Sequence, residues 1–244
     1  MTWIGLLLLA FGATDLANSV RPVRFLPGLI GASVAVGVGL ASGLTRDADL
    51  VAVLSIAVAA FVWDWSVTRG LGRGPASLPL MVFGTVLTVT LVLSGRAGAG
   101  GGLLERWLDD VAVPIISGLE PSRALLLAGV LAIQMSTGNV LVRLVLAVTD
   151  TVNPARHGTL ADPETQLKGG RLLGPMERLF IVCLGLAGQL TAASIVVAAK
   201  GLLRFPELQS RADQARIHQL TEYFLVGSFA SWLVALSSLL LLAQ

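Results

Sequence analysis

The sequence predicts an all-α, polytopic integral membrane helix bundle with about seven transmembrane helices and one further interfacial or re-entrant helix. Two observations predict this fold class. Hydrophobic residues make up 55% of the 244 residues and charged residues only 13%, whereas a soluble domain carries about 25% charged residues. Apolar segments long enough to cross a bilayer also recur along the whole chain. Together these observations exclude a soluble fold.

The first half of the chain contains the first group of predicted spans, each followed by a short polar or glycine-rich linker. These spans are Thr2–Val20, Phe25–Thr45, Leu50–Val67 and Leu78–Leu93. The first span lacks the basic residues that open a signal peptide, so we expect it to be retained. In the second span Gly31, Ala35 and Gly39 repeat every four residues. This pattern of small side chains lets helix backbones approach closely.

The second half contains the remaining predicted spans, which are Ala124–Val148, Leu172–Lys200 and Tyr223–Ala243. Between the halves, residues 103–119 begin with charged side chains and then turn apolar. This segment is too short to span comfortably, which indicates an interfacial or re-entrant helix. We therefore predict an N-terminal membrane region over 1–97, a linker with the interfacial helix over 98–121, and a C-terminal module over 122–244. We expect Pro206 to end the sixth span.

The sixth span carries a polar stripe. Arg178, Gln189 and Lys200 follow one another at intervals of eleven residues, which return to nearly the same face of a helix, offset by about 20°. An amide facing lipid is costly, so we expect Gln189, near mid-depth, to face protein or water. We expect Arg178 and Lys200 to anchor the ends of the span by extending toward the interface. Glu177 and Arg204 continue the stripe at its two ends.

Other polar residues lie within predicted spans and are candidates for function. Asn139 and Arg143 share one face of the fifth span, where Arg143 either reaches the interface or pairs with an acid. Asp15 and Asp64 lie near the ends of the first and third spans, and the tryptophans beside Asp64 suggest headgroup level. Alternatively, one of these acids neutralises Arg143 or Lys200 inside the bundle, as structural glue, a proton relay or a substrate site.

Several classes of chemistry lack their sequence signals. The chain has no phosphate-binding glycine loop, no serine in a nucleophile elbow and no histidine pair at metal-ligand spacing, so we expect no cofactor and no metal. The single Cys183 excludes an internal disulfide. A net charge of +2 gives no basis for nucleic acid as a partner. The expected partners are membrane lipids and a protein partner or a second copy of the chain.

The C-terminal third contains a series of spaced motifs over about 80 residues, from Gly170 onward. They are a Gly-Arg-x-x-Gly-x-x-Glu-Arg motif, a mid-helix glutamine, an Ala-Ala-Lys motif, an Arg-Phe pair and a Glu-Tyr pair before the last span. These positions are Gly170, Arg171, Gly174, Glu177, Arg178, Gln189, Ala198, Ala199, Lys200, Arg204, Phe205, Glu222, Tyr223, Gly227 and Ser228. In these motifs the chain resembles a family of uncharacterised bacterial inner-membrane proteins. The resemblance is confined to this part of the chain and implies that the polar stripe belongs to a shared C-terminal module.

Three functional classes remain, and the first is favoured. The compact small-residue faces and the lack of catalytic motifs favour a non-catalytic membrane subunit or scaffold that docks a partner. The alternative is a small transporter or channel that uses the polar residues of helices five and six. The third is a lipid-processing enzyme at the interface, using Glu177 with Arg178 or Asp109 with Asp110. The glycine-rich, arginine-rich composition indicates a bacterial protein, expected as a multi-pass protein of the inner membrane.

Overall fold

The computed structural model describes residues 1–72, 74–113, 118–151, 170–209 and 214–243. Over these residues it contains ten α-helices, a short 3-10 turn (Ser94–Arg96) that continues the fourth helix, and no strand. The all-α prediction is therefore confirmed. The helices are α1 Thr2–Val20, α2 Leu26–Ala41, α3 Asp47–Leu71, α4 Ser77–Leu93, α5 Gly102–Asp110, α6 Pro121–Met135, α7 Thr137–Val148, α8 Gly170–Leu186, α9 Leu190–Gln209 and α10 Gln214–Leu242.

Four helices of the described chain are long and apolar enough to cross a membrane. They are α1, α3, α4 with its 3-10 turn, and the part of α10 over Thr221–Leu242. A fifth span results if α6 and α7, which meet at an angle of 49°, are counted as one. The count falls short of seven because α2 has 16 residues and the predicted sixth span is interrupted. Four or five membrane-spanning segments are thus supported by length and composition.

The chain divides into two compact units, Met1–Val140 and Leu141–Gln244. The boundary between the units lies after Val140, inside the predicted fifth span. The sequence-based boundaries lie earlier in the chain, after residues 97 and 121. The reason is the close packing of α6 along α1. A Cβ added to Gly5 of α1 would lie 2.6 Å from the backbone nitrogen of Leu126, and one added to Gly12 would lie 2.9 Å from the carbonyl carbon of Ala132. These glycines allow a backbone approach that makes α6 part of the first unit.

The small-residue face of α2 is confirmed as a packing surface. Gly31, Ala35 and Gly39 are all buried. A Cβ on Gly31 would lie 2.8 Å from the carbonyl oxygen of Ala10 in α1, and one on Gly39 would lie 2.8 Å from the side chain of Val53 in α3. The pattern therefore lets α2 approach both of its neighbours.

Aromatic side chains fill the centre of the first unit. The ring of Trp63 stacks on Phe11 with centroids 5.2 Å apart and an interplanar angle of 9°. Phe83 of α4 lies 5.6 Å from Trp63. Trp63 has no exposed surface, whereas Trp65 is 53% exposed. Trp63 is therefore a core residue of the first unit, and the headgroup-level position of the tryptophans beside Asp64 stays a prediction.

The first part of the predicted interfacial segment is helical. α5 ends at Asp110, and residues 111–113 have no regular structure. Residues 114–117 lie outside the described part of the chain. Leu108 is buried, whereas Leu103 and Trp107 are exposed. Two apolar side chains of this helix thus lie on its exposed surface.

Candidate functional site

Two tryptophan–aspartate pairs join α1 to α3. At one end, Nε1 of Trp3 donates a hydrogen bond of 2.9 Å to Oδ1 of Asp49. At the other, Nε1 of Trp63 donates to both carboxylate oxygens of Asp15, over 3.2 and 3.0 Å. Each helix thus supplies one tryptophan and one aspartate. Twelve residues separate Trp3 from Asp15, which places the two pairs about 18 Å apart along α1.

Asp49 is held by donors alone. Its side chain is 1% exposed, and besides Trp3 the backbone N–H of Gly98 donates to Oδ1 over 3.0 Å. The hydroxyl of Thr2 donates to the carbonyl of Gly98 over 3.0 Å and fixes that loop. A Cβ on Gly98 would lie 2.7 Å from Oδ2 of Asp49, so the loop can come this close only with glycine. Because indole and backbone N–H groups cannot accept hydrogen bonds, this environment is complementary to a carboxylate.

Asp15 has a different environment. It is 5% exposed and so is enclosed by protein rather than placed at a surface. Besides Trp63, the hydroxyl of Thr137 interacts with this carboxylate, but at a geometry that does not complete a hydrogen bond. Asp64 is its charged neighbour. None of these three neighbours carries positive charge.

The break between α6 and α7 lies next to Asp15. The hydroxyl of Ser136 donates to the carbonyl of Gly12 in α1 over 2.7 Å, and the same hydroxyl lies 2.9 Å from the carbonyl of Ala132. These bonds hold Ser136 in a non-helical conformation with φ −128°. Thr137, the first residue of α7, therefore brings the positive end of a helix dipole toward the carboxylate. The prediction of one continuous helix over Ala124–Val148 is wrong at this residue.

Asp64 is half-buried and lies beside the start of α2. Its Oδ2 accepts a hydrogen bond of 3.3 Å from the backbone N–H of Gly28. A Cβ on Gly28 would lie 3.2 Å from the same oxygen. Because the first-turn N–H groups of a helix lack internal partners, Asp64 satisfies one of them and favours the start of α2 here.

In the second unit, Glu177 and Arg178 connect α8 to α10. Nε1 of Trp232 donates to Oε1 of Glu177 over 2.9 Å, and Nη1 of Arg178 donates to the hydroxyl of Ser231 over 3.1 Å. Arg178 is 1% exposed and Glu177 7%. The expectation that Arg178 extends toward the interface is therefore wrong, because its head group is bonded inside the unit.

The polar stripe of the sixth predicted span does not form on one helix. α8 ends at Leu186 with a left-handed glycine, Gly188 at φ 72°. The N–H of Gly188 donates to the carbonyl of Gly185, and the N–H of Gln189 donates to that of Leu184. This pair of bonds is the Schellman motif that ends helices. Gln189 is exposed at the break, so the prediction that it lies mid-way along a continuous span is wrong.

The other predicted site residues lie apart from these contacts. Asn139 is half-buried and Arg143 is exposed on α7. Lys200 and Arg204 belong to α9, but their side chains lie outside the described residues. α9 continues to Gln209, so Pro206 does not end it. A proline so near the end of a helix removes only one backbone hydrogen bond there.

Sequence reasoning missed Asp49, which it placed in the linker before the third span. In α1 the tryptophan precedes the aspartate (Trp3, Asp15), whereas in α3 the aspartate precedes the tryptophan (Asp49, Trp63). The two residues are twelve positions apart in α1 and fourteen in α3. In two parallel helices such a reversal brings each tryptophan opposite an aspartate. That reversal is a signal that the sequence does carry.

The described residues contain no group of three or more histidine, cysteine, aspartate or glutamate side chains that could hold a metal ion. No protein-family model, curated protein or solved structure matches the chain.

Proposed function

We propose that the chain is a non-catalytic membrane subunit or scaffold that docks a helix of a partner protein against the outer face of α4. The observation that carries this proposal is the exposure of α4. Only 11% of the most apolar stretch of α4 is buried inside the protein, whereas the corresponding share is 61% in α1 and 44% in α3. A long apolar helix with so little internal packing has most of its surface available for an external contact.

The outer face of α4 has the composition of a helix-packing surface. Its exposed residues are Met81, Gly84, Thr85, Thr88, Val89, Val92 and Leu93, most of which recur at helical spacing. Three of these seven are glycine or threonine, and Gly84 with Thr88 forms a small-xxx-small pair. No atom lies within 4 Å of a Cβ built on Gly84. Glycine and threonine are enriched where membrane helices pack closely, which favours a protein helix over lipid on this face.

The proposal includes the membrane setting. We place the chain in the bacterial inner membrane as a multi-pass protein with seven membrane segments, including α2, the α6–α7 pair and the α8–α9 pair. Two of these segments correspond to shorter apolar helices, Leu26–Ala41 and Leu190–Ala199. Membership in the inner-membrane family that the C-terminal third resembles stays a prediction.

The test is mild extraction of the tagged protein from its native membrane, followed by mass spectrometry of the proteins that co-purify. Wild type should retain a stoichiometric partner, or a second copy of the chain. Gly84→Leu should lose most of it, because a leucine side chain separates the two helices. Gly37→Leu is the matched control, since Gly37 is an exposed helical glycine with the same open surroundings. Recovery of a lone monomer from native membranes, or equal retention by both variants, would contradict the docking proposal.

A second candidate function is a small transporter, and the interrupted α6–α7 span favours it. Transporters commonly bind their substrates and coupling ions at discontinuous membrane helices whose half-helix ends face the site. Here the start of α7 meets the buried carboxylate of Asp15. Reconstituted vesicles that show substrate flux abolished by Asp15→Asn would establish this function in place of docking. The third class, an enzyme using Glu177 and Arg178, has less support because both side chains are engaged with α10.

A further inference from the structure

The carboxylate of Asp15 has an environment that can satisfy two protonation states. Trp63 supplies an N–H to both oxygens at 3.2 and 3.0 Å, and an indole can only donate. Thr137 supplies a hydroxyl, which can donate to a carboxylate or accept from a carboxylic acid. Thr137 has no exposed surface, and its hydroxyl oxygen does not meet the geometry of a complete hydrogen bond. The Asp15 carboxylate is the neighbour of this hydroxyl, so a proton placed between the two groups would complete a hydrogen bond that the site otherwise leaves incomplete.

We propose that Asp15 is a proton-binding site at the α6–α7 break, where the added proton forms a hydrogen bond from the Asp15 carboxyl to the hydroxyl of Thr137. One proton adds to one carboxylate oxygen, and no other bond forms or breaks. Trp63 then donates to the remaining carbonyl oxygen. The inference is independent of the docking proposal, since it concerns the interior of the first unit.

The charges around Asp15 favour a proton over a permanent ion pair. α2 and α4, which pack against α1, contain no charged residue. α3 contributes Asp64 as the charged neighbour, and Arg69 of that helix lies over the exposed ring of Trp65 instead. On α6, Arg123 lies nine residues before Ala132, the residue packed against Gly12, which corresponds to about 14 Å along the helix. Arg96 of the 3-10 turn and Arg143 of α7 are both exposed.

The same surroundings disfavour a metal cation. Calcium and magnesium require six or more oxygen ligands, whereas Trp63 directs an N–H at both carboxylate oxygens. A cation bound at those oxygens would displace or oppose that donor. A proton needs one acceptor only, and Thr137 provides it.

Infrared difference spectroscopy of the whole protein in vesicles tests the proposal. As the pH is lowered, wild type should gain a C=O stretching band of a protonated carboxyl group that is lost in Asp15→Asn. Asp49→Asn is the matched control, because Asp49 also binds an indole but has only N–H donors. This control should keep the band. A band that survives in Asp15→Asn, or one that disappears in Asp49→Asn, overturns the assignment.

A second pair of variants keeps the test decisive if Asp15→Asn does not fold. Thr137→Val removes the acceptor and should shift the frequency of the carboxyl band, whereas Thr137→Ser restores the hydroxyl and should return it. An unchanged band in Thr137→Val contradicts the proposed hydrogen bond. Loss of the band on replacing choline chloride by sodium chloride, at constant pH, would assign the site to sodium and overturn the proton proposal.

Discussion

The two tryptophan–aspartate pairs between α1 and α3 look alike but differ in their third partner. Asp49 receives its second hydrogen bond from the backbone N–H of Gly98, whereas Asp15 faces the hydroxyl of Thr137. The first environment contains N–H donors from Trp3 and Gly98, which can only donate to the carboxyl oxygens. The second contains a group that can donate or accept. One end of the helix pair is therefore built to hold α1, α3 and a loop together, and the other is able to change state.

Replacing Trp63 by alanine should give the largest effect. The variant loses a fully buried ring stacked on Phe11 together with the donor to Asp15, and large aromatic-to-alanine changes in cores cost about 3–5 kcal/mol. Thermal unfolding in detergent measures the loss. Trp65→Ala is the control, and its mostly exposed ring should give a much smaller change. Equal losses in the two variants would contradict a core role for Trp63.

Replacing Asp49 by alanine should destabilise the protein more than replacing Asp15. At Asp49 two buried N–H donors lose their acceptor, at about 1–3 kcal/mol each. At Asp15 one N–H donor, that of Trp63, loses its acceptor. Urea or thermal unfolding of both variants at neutral pH gives the comparison. Asp47→Ala, at an exposed residue of the same helix, should have little effect. A greater loss of stability in Asp15→Ala than in Asp49→Ala would contradict this prediction.

Adding a methyl group at Gly98 should disturb the Asp49 pair alone. The Cβ would lie 2.7 Å from Oδ2 of Asp49, so the loop must shift, at an expected cost of about 1–3 kcal/mol. Gly95→Ala provides the control because no atom lies within 4 Å of its Cβ. The unfolding temperature should fall for Gly98→Ala and stay near wild type for Gly95→Ala. If both fall equally, the close approach to Asp49 is not the cause.

Thr137→Val should have the smallest effect on stability, within about 0.5 kcal/mol at neutral pH. Its hydroxyl lacks a completed hydrogen bond, and replacing such a buried group by an apolar group of the same shape is nearly neutral. The unfolding temperature at neutral pH provides the measurement. A loss above about 2 kcal/mol would show that the hydroxyl already makes a strong bond there.

The sequence predicts those features that local patterns encode. α1 begins and ends at the predicted residues, and the packing face of α2 follows from the spacing of Gly31, Ala35 and Gly39. The break at Ser136 could not be predicted, because the bond that stabilises it reaches Gly12, 124 residues away. The break at Gly188 could have been predicted from the sequence, because glycine is the usual residue that ends a helix in a left-handed conformation.

The candidate site was predicted in part. Asp15 and Asp64 were identified as acids within apolar segments, and both lie in the first unit near one another. Their partners depend on which helices become neighbours, and apolar periodicity alone does not determine that. Glu177 and Arg178 were identified as well, but their burial depends on a serine and a tryptophan of the last helix.

The bonds of α8 also have a consequence for synthesis of the protein in the cell. Two partners of Arg178 and Glu177, namely Ser231 and Trp232, lie 53 and 55 residues further along the chain. At a translation rate of about 5–20 residues per second, those partners emerge about 3–10 seconds later. Until then, these two contacts between α8 and the last helix cannot form. We therefore expect α8 to reach its final packing only after α10 has been made, so that the last helix completes the packing of an earlier one.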